Sequence, residues 1–125
     1  MPPSKLARCA LYAASFLSAV SVAGHTQMGF DVVFPSLSSK LALNDPGAIS
    51  AKIGWLEGNM VYAMMAILCA KWAKFGLNDN YDKAALASVA AYKVFCGIGF
   101  ARSGIYGPTI PLFGIPALVV SSQLL

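Results

Sequence analysis

Four apolar runs joined by polar connectors leave this chain few ways to fold. They cover residues 6–24 (LARCALYAASFLSAVSVAG), 51–70 (AKIGWLEGNMVYAMMAILCA), 84–101 (AALASVAAYKVFCGIGFA) and 105–125 (IYGPTIPLFGIPALVVSSQLL). Each has about the 17–25 residues that a membrane helix needs. Charged residues make up only 11% of the 125 positions, with a mean hydropathy of +0.66. A soluble domain carries roughly 25% charged residues, so this chain cannot cover a water-facing surface. The expected fold is all-α: a single integral membrane domain over residues 1–125, built as a four-transmembrane-helix bundle in up-down-up-down order.

The first run has a rival description. Lys5 and Arg8 ahead of an apolar stretch and "SVA" are also the pattern of a signal peptide, with cleavage near Ala23. The run is long for that, and "GHTQMGFDVVFPSL" after it stays amphipathic, so a retained helix is the expectation. Turn chemistry separates the rest. Asn44-Asp45-Pro46-Gly47 makes a turn, and Ser50 is the expected N-cap of the second helix. Asp82 is the expected cap of the third, and "RSG" (Arg102 to Gly104) links it to the fourth.

Cations near the run ends orient the chain. Lys5, Arg8, Lys71, Lys74 and Lys83 fall on one side; Lys40, Lys52 and Arg102 fall on the other. That bias puts both termini in the cytosol. The net charge of +4 is scattered, without a basic block interleaved with aromatics, which argues against nucleic-acid binding. Cys9, Cys69 and Cys96 lie in apolar runs without a CxxC, and His25 is the one histidine, so neither a disulfide framework nor a metal site is expected. No cofactor is implied, and no GxSxG, HExxH, Walker loop or GxGxxG occurs.

The feature with chemical content is Lys93, mid-span in "SVAAYKVFCGIGF" (Ser88 to Phe100). An ammonium there costs about 2.5–3.5 kcal/mol on insertion scales and should face the bundle interior with a partner. Glu57 is the expected partner. It lies about 9 Å in from Ala51, and Lys93 about 13 Å in from Arg102, at 1.5 Å per residue. His25, Gln27, Asp31, Trp55, Asn59, Arg102 and Tyr106 gather toward the same side of the membrane. In a pocket there, Glu57 and Asp31 would act as acid or base, His25 as proton carrier, and Lys93 and Arg102 as electrostatic stabilisers. Each also has a plain structural alternative: a register-locking ion pair, an interfacial anchor or a helix cap.

Pro108, Pro111 and Pro116 predict a kinked fourth helix around a cavity. Ala10, Ala14 and Ser18 recur every four residues as a contact stripe for a neighbouring helix. Trp72, Tyr81 and Tyr106 are placed for an aromatic belt.

"GHTQMGFDVVFPSL" (Gly24 to Leu37), "AKIGWLEGN" (Ala51 to Asn59), "KWAKFG" (Lys71 to Gly76) and "YDKA" (Tyr81 to Ala84) together resemble a poorly characterised family of small four-helix integral membrane proteins of fungi and bacteria. The resemblance covers most of the chain. Some fungal members accompany genes for terpenoid or polyketide natural products, which implies a role in secondary-metabolite biosynthesis at the endoplasmic reticulum. It supplies no catalytic residues to carry over. The expected function is therefore an enzyme, or enzyme partner, acting on a lipophilic small molecule. The alternatives are an accessory subunit scaffolding other membrane proteins through small residues such as Ala14, and a small oligomeric transporter with Lys93 or Glu57 lining its pore.

Overall fold

A computed structural model describes residues 3–125. The described residues form five helices: α1 (Lys5–Ser36), α2 (Ser38–Ala42), α3 (Pro46–Phe75), α4 (Asn80–Arg102) and α5 (Thr109–Ser121). No strand occurs among the described residues. Helices α1, α3 and α4 are each long and apolar enough to cross a membrane. At 1.5 Å per residue they measure about 48, 45 and 35 Å. The fourth apolar run forms a helix of only 13 residues, about 20 Å long, against a bilayer core of about 30 Å.

The helix ends differ from expectation for local reasons. α1 does not stop at Gly24 but runs on through a π-helical turn at Gly29–Val33, so "GHTQMGFDVV" is helix and not connector. α3 is capped by Asp45, whose carboxylate accepts from the Ala48 N–H at 2.8 Å. Pro46, at the first helical position, has a pre-set φ and no N–H to satisfy, so the helix begins there and Ser50 lies inside it. Asn44 makes the turn into this cap at φ 54°, a left-handed conformation that asparagine tolerates. Asp79, rather than Asp82, caps α4 by accepting from the Asp82 N–H at 2.7 Å. The Asp82 side chain is thereby free to pair with Lys71 of α3 at 2.7 Å. Gly76 ends α3 at φ 83°, a conformation glycine adopts without steric cost.

α1 packs closely on α3 and on α5, and α4 on α5, whereas α3 and α4 approach one another little. At the Lys71–Asp82 end the molecule is solid. Leu11, Ala14, Met65, Cys69, Trp72, Ala73, Ile115 and Val119 close on one another there. Ser15 fastens α1 to α3 by donating to the Ala66 carbonyl at 2.7 Å. The small-residue stripe works inside this core: Ala14 and Ser18 are fully buried and present no surface to an outside helix. Trp72 is likewise fully buried in the core rather than part of a belt. Tyr81 and Tyr106 are exposed at helix ends, where a belt would lie.

Candidate functional site

Toward the opposite end the helices part around a cavity of about 590 Å³, within the roughly 300–1,000 Å³ typical of small-molecule sites. Every long element contributes to its wall. α1 supplies Val20, Gly24, His25 and Met28; α3 supplies Gly54, Trp55, Gly58, Val61 and Tyr62. α4 adds Tyr92, Lys93, Cys96 and Phe100, and Gly107, Pro108, Pro111 and Leu112 close the side toward α5. The proline-rich start of α5 thus borders a cavity. Proline leaves fewer backbone donors to satisfy, and irregular backbone at membrane depth is tolerated where it lines such a space.

One wall is a built aromatic and polar frame. The His25 ring stacks on the Trp55 indole with centroids 4.2 Å apart and planes 5° from parallel. Gly58 makes room for it, since a Cβ there would come within 2.9 Å of the imidazole Cε1. The Trp55 N–H donates to the His25 carbonyl at 2.9 Å. His25 Nδ1 meets Asn59 Oδ1 at 2.9 Å, Asn59 Nδ2 donates to Thr26 Oγ1 at 2.9 Å, and Thr26 donates to the Val22 carbonyl at 2.8 Å.

That chain of bonds has one consistent direction. Val22 O can only accept, so Thr26 must donate to it; Thr26 Oγ1 then accepts from the Asn59 amide. Asn59 Oδ1 is left to accept from His25, which puts a proton on Nδ1; in the neutral ring Nε2 is then the free acceptor.

Lys93 faces the same cavity. Only 1% of its surface is exposed, and its Nζ sits 3.7 Å above the centroid of the Tyr62 ring. A desolvated cation–π contact is worth about 2 kcal/mol, so Tyr62 offsets much, but not all, of the about 2.5–3.5 kcal/mol cost of an ammonium at this depth. Tyr62 also lies beside His25, with centroids 5.6 Å apart, and so bridges the two nitrogen-bearing groups.

The expected Glu57–Lys93 pair is not formed. Among the described residues the ion pair present is Lys71–Asp82. Glu57 is exposed on the outer side of α3: it precedes the cavity-facing Gly58 by one residue, hence about 100° around the helix. Asp31 and Arg102 are also exposed, and neither lines the cavity. Asp31 sits in the π-helical turn and Arg102 ends α4. Gln27 and Tyr106 are exposed as well. Of the five residues expected to form one site, the structure brings His25 and Lys93 together. Glu57→Gln is therefore expected to leave the cavity and anything it holds unchanged, as judged by mass spectrometry of the bound fraction from equal amounts of folded protein.

Tyr62 and the glycines Gly24 and Gly54 were not foreseen. For Gly54 and Tyr62 the signal lies in the spacing: with Gly58 they fall on successive turns of one helix face. Cys96 adds a thiol to the wall, and no group of three or more His, Cys, Asp or Glu side chains among the described residues could hold a metal ion. No family profile matches the chain, and neither a curated protein nor a solved structure is detectably similar to it.

Proposed function

We propose that this chain is a multi-pass membrane protein that binds a lipophilic small molecule in the four-helix cavity and acts on it, or presents it to an enzyme. The observation that carries this is the pairing of an oriented base with a lone ammonium in one apolar chamber. His25, its Nδ1–H held by Asn59, offers Nε2 as a proton acceptor. Lys93 supplies positive charge where negative charge would develop on a bound oxygen, in surroundings that screen it little.

In this proposal α5 and its flanking turns complete a four-helix bundle with both termini on the cytosolic side, following the cation bias. The endoplasmic reticulum as the site and a terpenoid or polyketide intermediate as the guest are proposed on the sequence resemblance alone.

The test is to purify the protein in lipid nanodiscs and profile its lipophilic extract, wild type beside His25→Gln. Glutamine keeps the size and polarity of the site but cannot take up a proton near neutral pH. The expected result is a bound compound in both samples and a converted product with the wild type alone. Identical products from both would remove the acid–base role.

A second function class is favoured by Glu57 itself. It interrupts an outward apolar stripe of Ile53, Met60, Met64 and Ile67, all exposed. A carboxylate on such a stripe suits a partner helix bearing a cation or a hydrogen-bond donor. An accessory subunit would co-purify with that partner in mild detergent and lose it on Glu57→Gln, without change in the extract.

A further inference from the structure

We propose that the guest is a lipophilic monoacid: an apolar body ending in one anionic oxygen group that pairs with Lys93. The proposal rests on the cavity being a small-molecule site and adds the class of molecule it takes. It comes from accounting for the acids of the chain, of which there are five. Asp45 caps α3 and Asp79 caps α4. Asp82 pairs with Lys71. Asp31 and Glu57 are exposed and line no part of the cavity. The C-terminal Leu125 is exposed too. Among the described residues no carboxylate of this chain is left for Lys93.

Lys93 is nonetheless almost wholly buried with its Nζ against the Tyr62 ring face, and an ammonium buried without a counter-charge is costly, a cost that an anionic guest beside it would offset. The cavity dictates the remainder of the guest. Its walls away from Lys93 are apolar, with Val20, Met28, Val61, Phe100, Pro111 and Leu112 facing inward, a match for a hydrocarbon or isoprenoid body. Lys93 is also the one Lys or Arg that lines it. One cation balances one negative charge, so a carboxylate or phenolate suits the site and a dianionic phosphate head does not. His25 Nε2, the free acceptor of the neutral ring, can take the hydrogen bond of the same group when it arrives protonated from the bilayer.

The test uses the full chain in phosphatidylcholine nanodiscs and a matched probe pair: a diazirine-bearing hexadecanoic acid and its methyl ester. After irradiation, labelled residues are mapped by mass spectrometry. In the wild type the acid is expected to label cavity residues about tenfold more than the ester. Lys93→Met should bring the acid down to the level of the ester, and Lys93→Arg should keep the preference. Gly54→Phe, which puts a ring into the cavity and narrows it, sets the background for both probes. Equal labelling of the wild-type cavity by acid and ester, both lost in Gly54→Phe, would overturn the monoacid while leaving a lipophile site standing. Labelling of the wild type no higher than in Gly54→Phe would overturn the site itself. The acid-to-ester comparison is made on the unaltered protein, so it stands even where a Lys93 variant folds poorly.

Discussion

Phenylalanine at Gly54 is expected to cut the lipophile retained by the purified protein by at least about tenfold, the equivalent of about 1.4 kcal/mol of affinity, with helix content unchanged. Gly54 lines the cavity, and a Cβ built on it meets nothing within 4 Å. The added ring therefore enters empty space and not a packed core. Replacing a helical glycine by a better helix former also favours α3 by a few tenths of a kcal/mol, so lost binding cannot be put down to a weakened helix. Gly54→Ala, too small to fill the chamber, is the control and should retain the guest. Quantifying bound compound per mole of protein by mass spectrometry decides the matter. Undiminished retention in a folded Gly54→Phe protein would mean that the guest sits elsewhere.

Alanine at Gly29 should have the opposite character: a single methyl group that damages the fold around the site. A Cβ there would stand 2.7 Å from the Trp55 indole nitrogen, 2.9 Å from its Cδ1 and 3.1 Å from the Phe34 ring. The indole cannot simply swing aside, because it is stacked on His25 and bonded to the His25 carbonyl. Overpacking of this kind costs about 1–3 kcal/mol. The expected readouts are a lower thermal midpoint in detergent and altered tryptophan emission. Gly24→Ala, one turn and a residue earlier on the same helix, meets nothing within 4 Å and should leave both unchanged. Equal behaviour of the two variants would show that the Trp55–His25 frame is looser than its geometry requires.

What could be read ahead of the structure follows from what hydropathy measures. It locates membrane-length helices because length and polarity are local, and it found α1, α3 and α4, erring at their ends where caps decide. It is silent on which way a helix faces when all sides are apolar. Glu57 and Lys93 can be paired by depth from the sequence, but depth says nothing of the turn around α3 that carries Glu57 outward. The inward face is marked instead by small and polar residues: Gly54 and Gly58, then Asn59 and Tyr62. Likewise the polar "HTQ" of α1 reads as a connector. Only the pairing of Thr26 and His25 with Asn59 across the helix gap shows how these groups are satisfied within a helix. Lys93 was legible because a charge in an apolar run needs a reason. Its companion, the Tyr62 face, was not, since an aromatic ring in such a run is the commonplace case.

The short α5 has a consequence for the surrounding lipid. In the proposed bundle it stands only about 20 Å tall beside α1, at about 48 Å, so the apolar girdle of the protein would be uneven around its circumference. A bilayer of uniform thickness cannot match both sides. With α5 embedded as proposed, it would thin next to α5, or draw headgroups and water down along that flank, at fractions of a kcal/mol per Å of mismatch. The start of α5 is also where Pro108, Pro111 and Leu112 border the chamber. Thin, loosely ordered membranes would therefore hold this protein at lower elastic strain than thick sterol-rich ones, and the dimple they form would lie against the wall of the chamber.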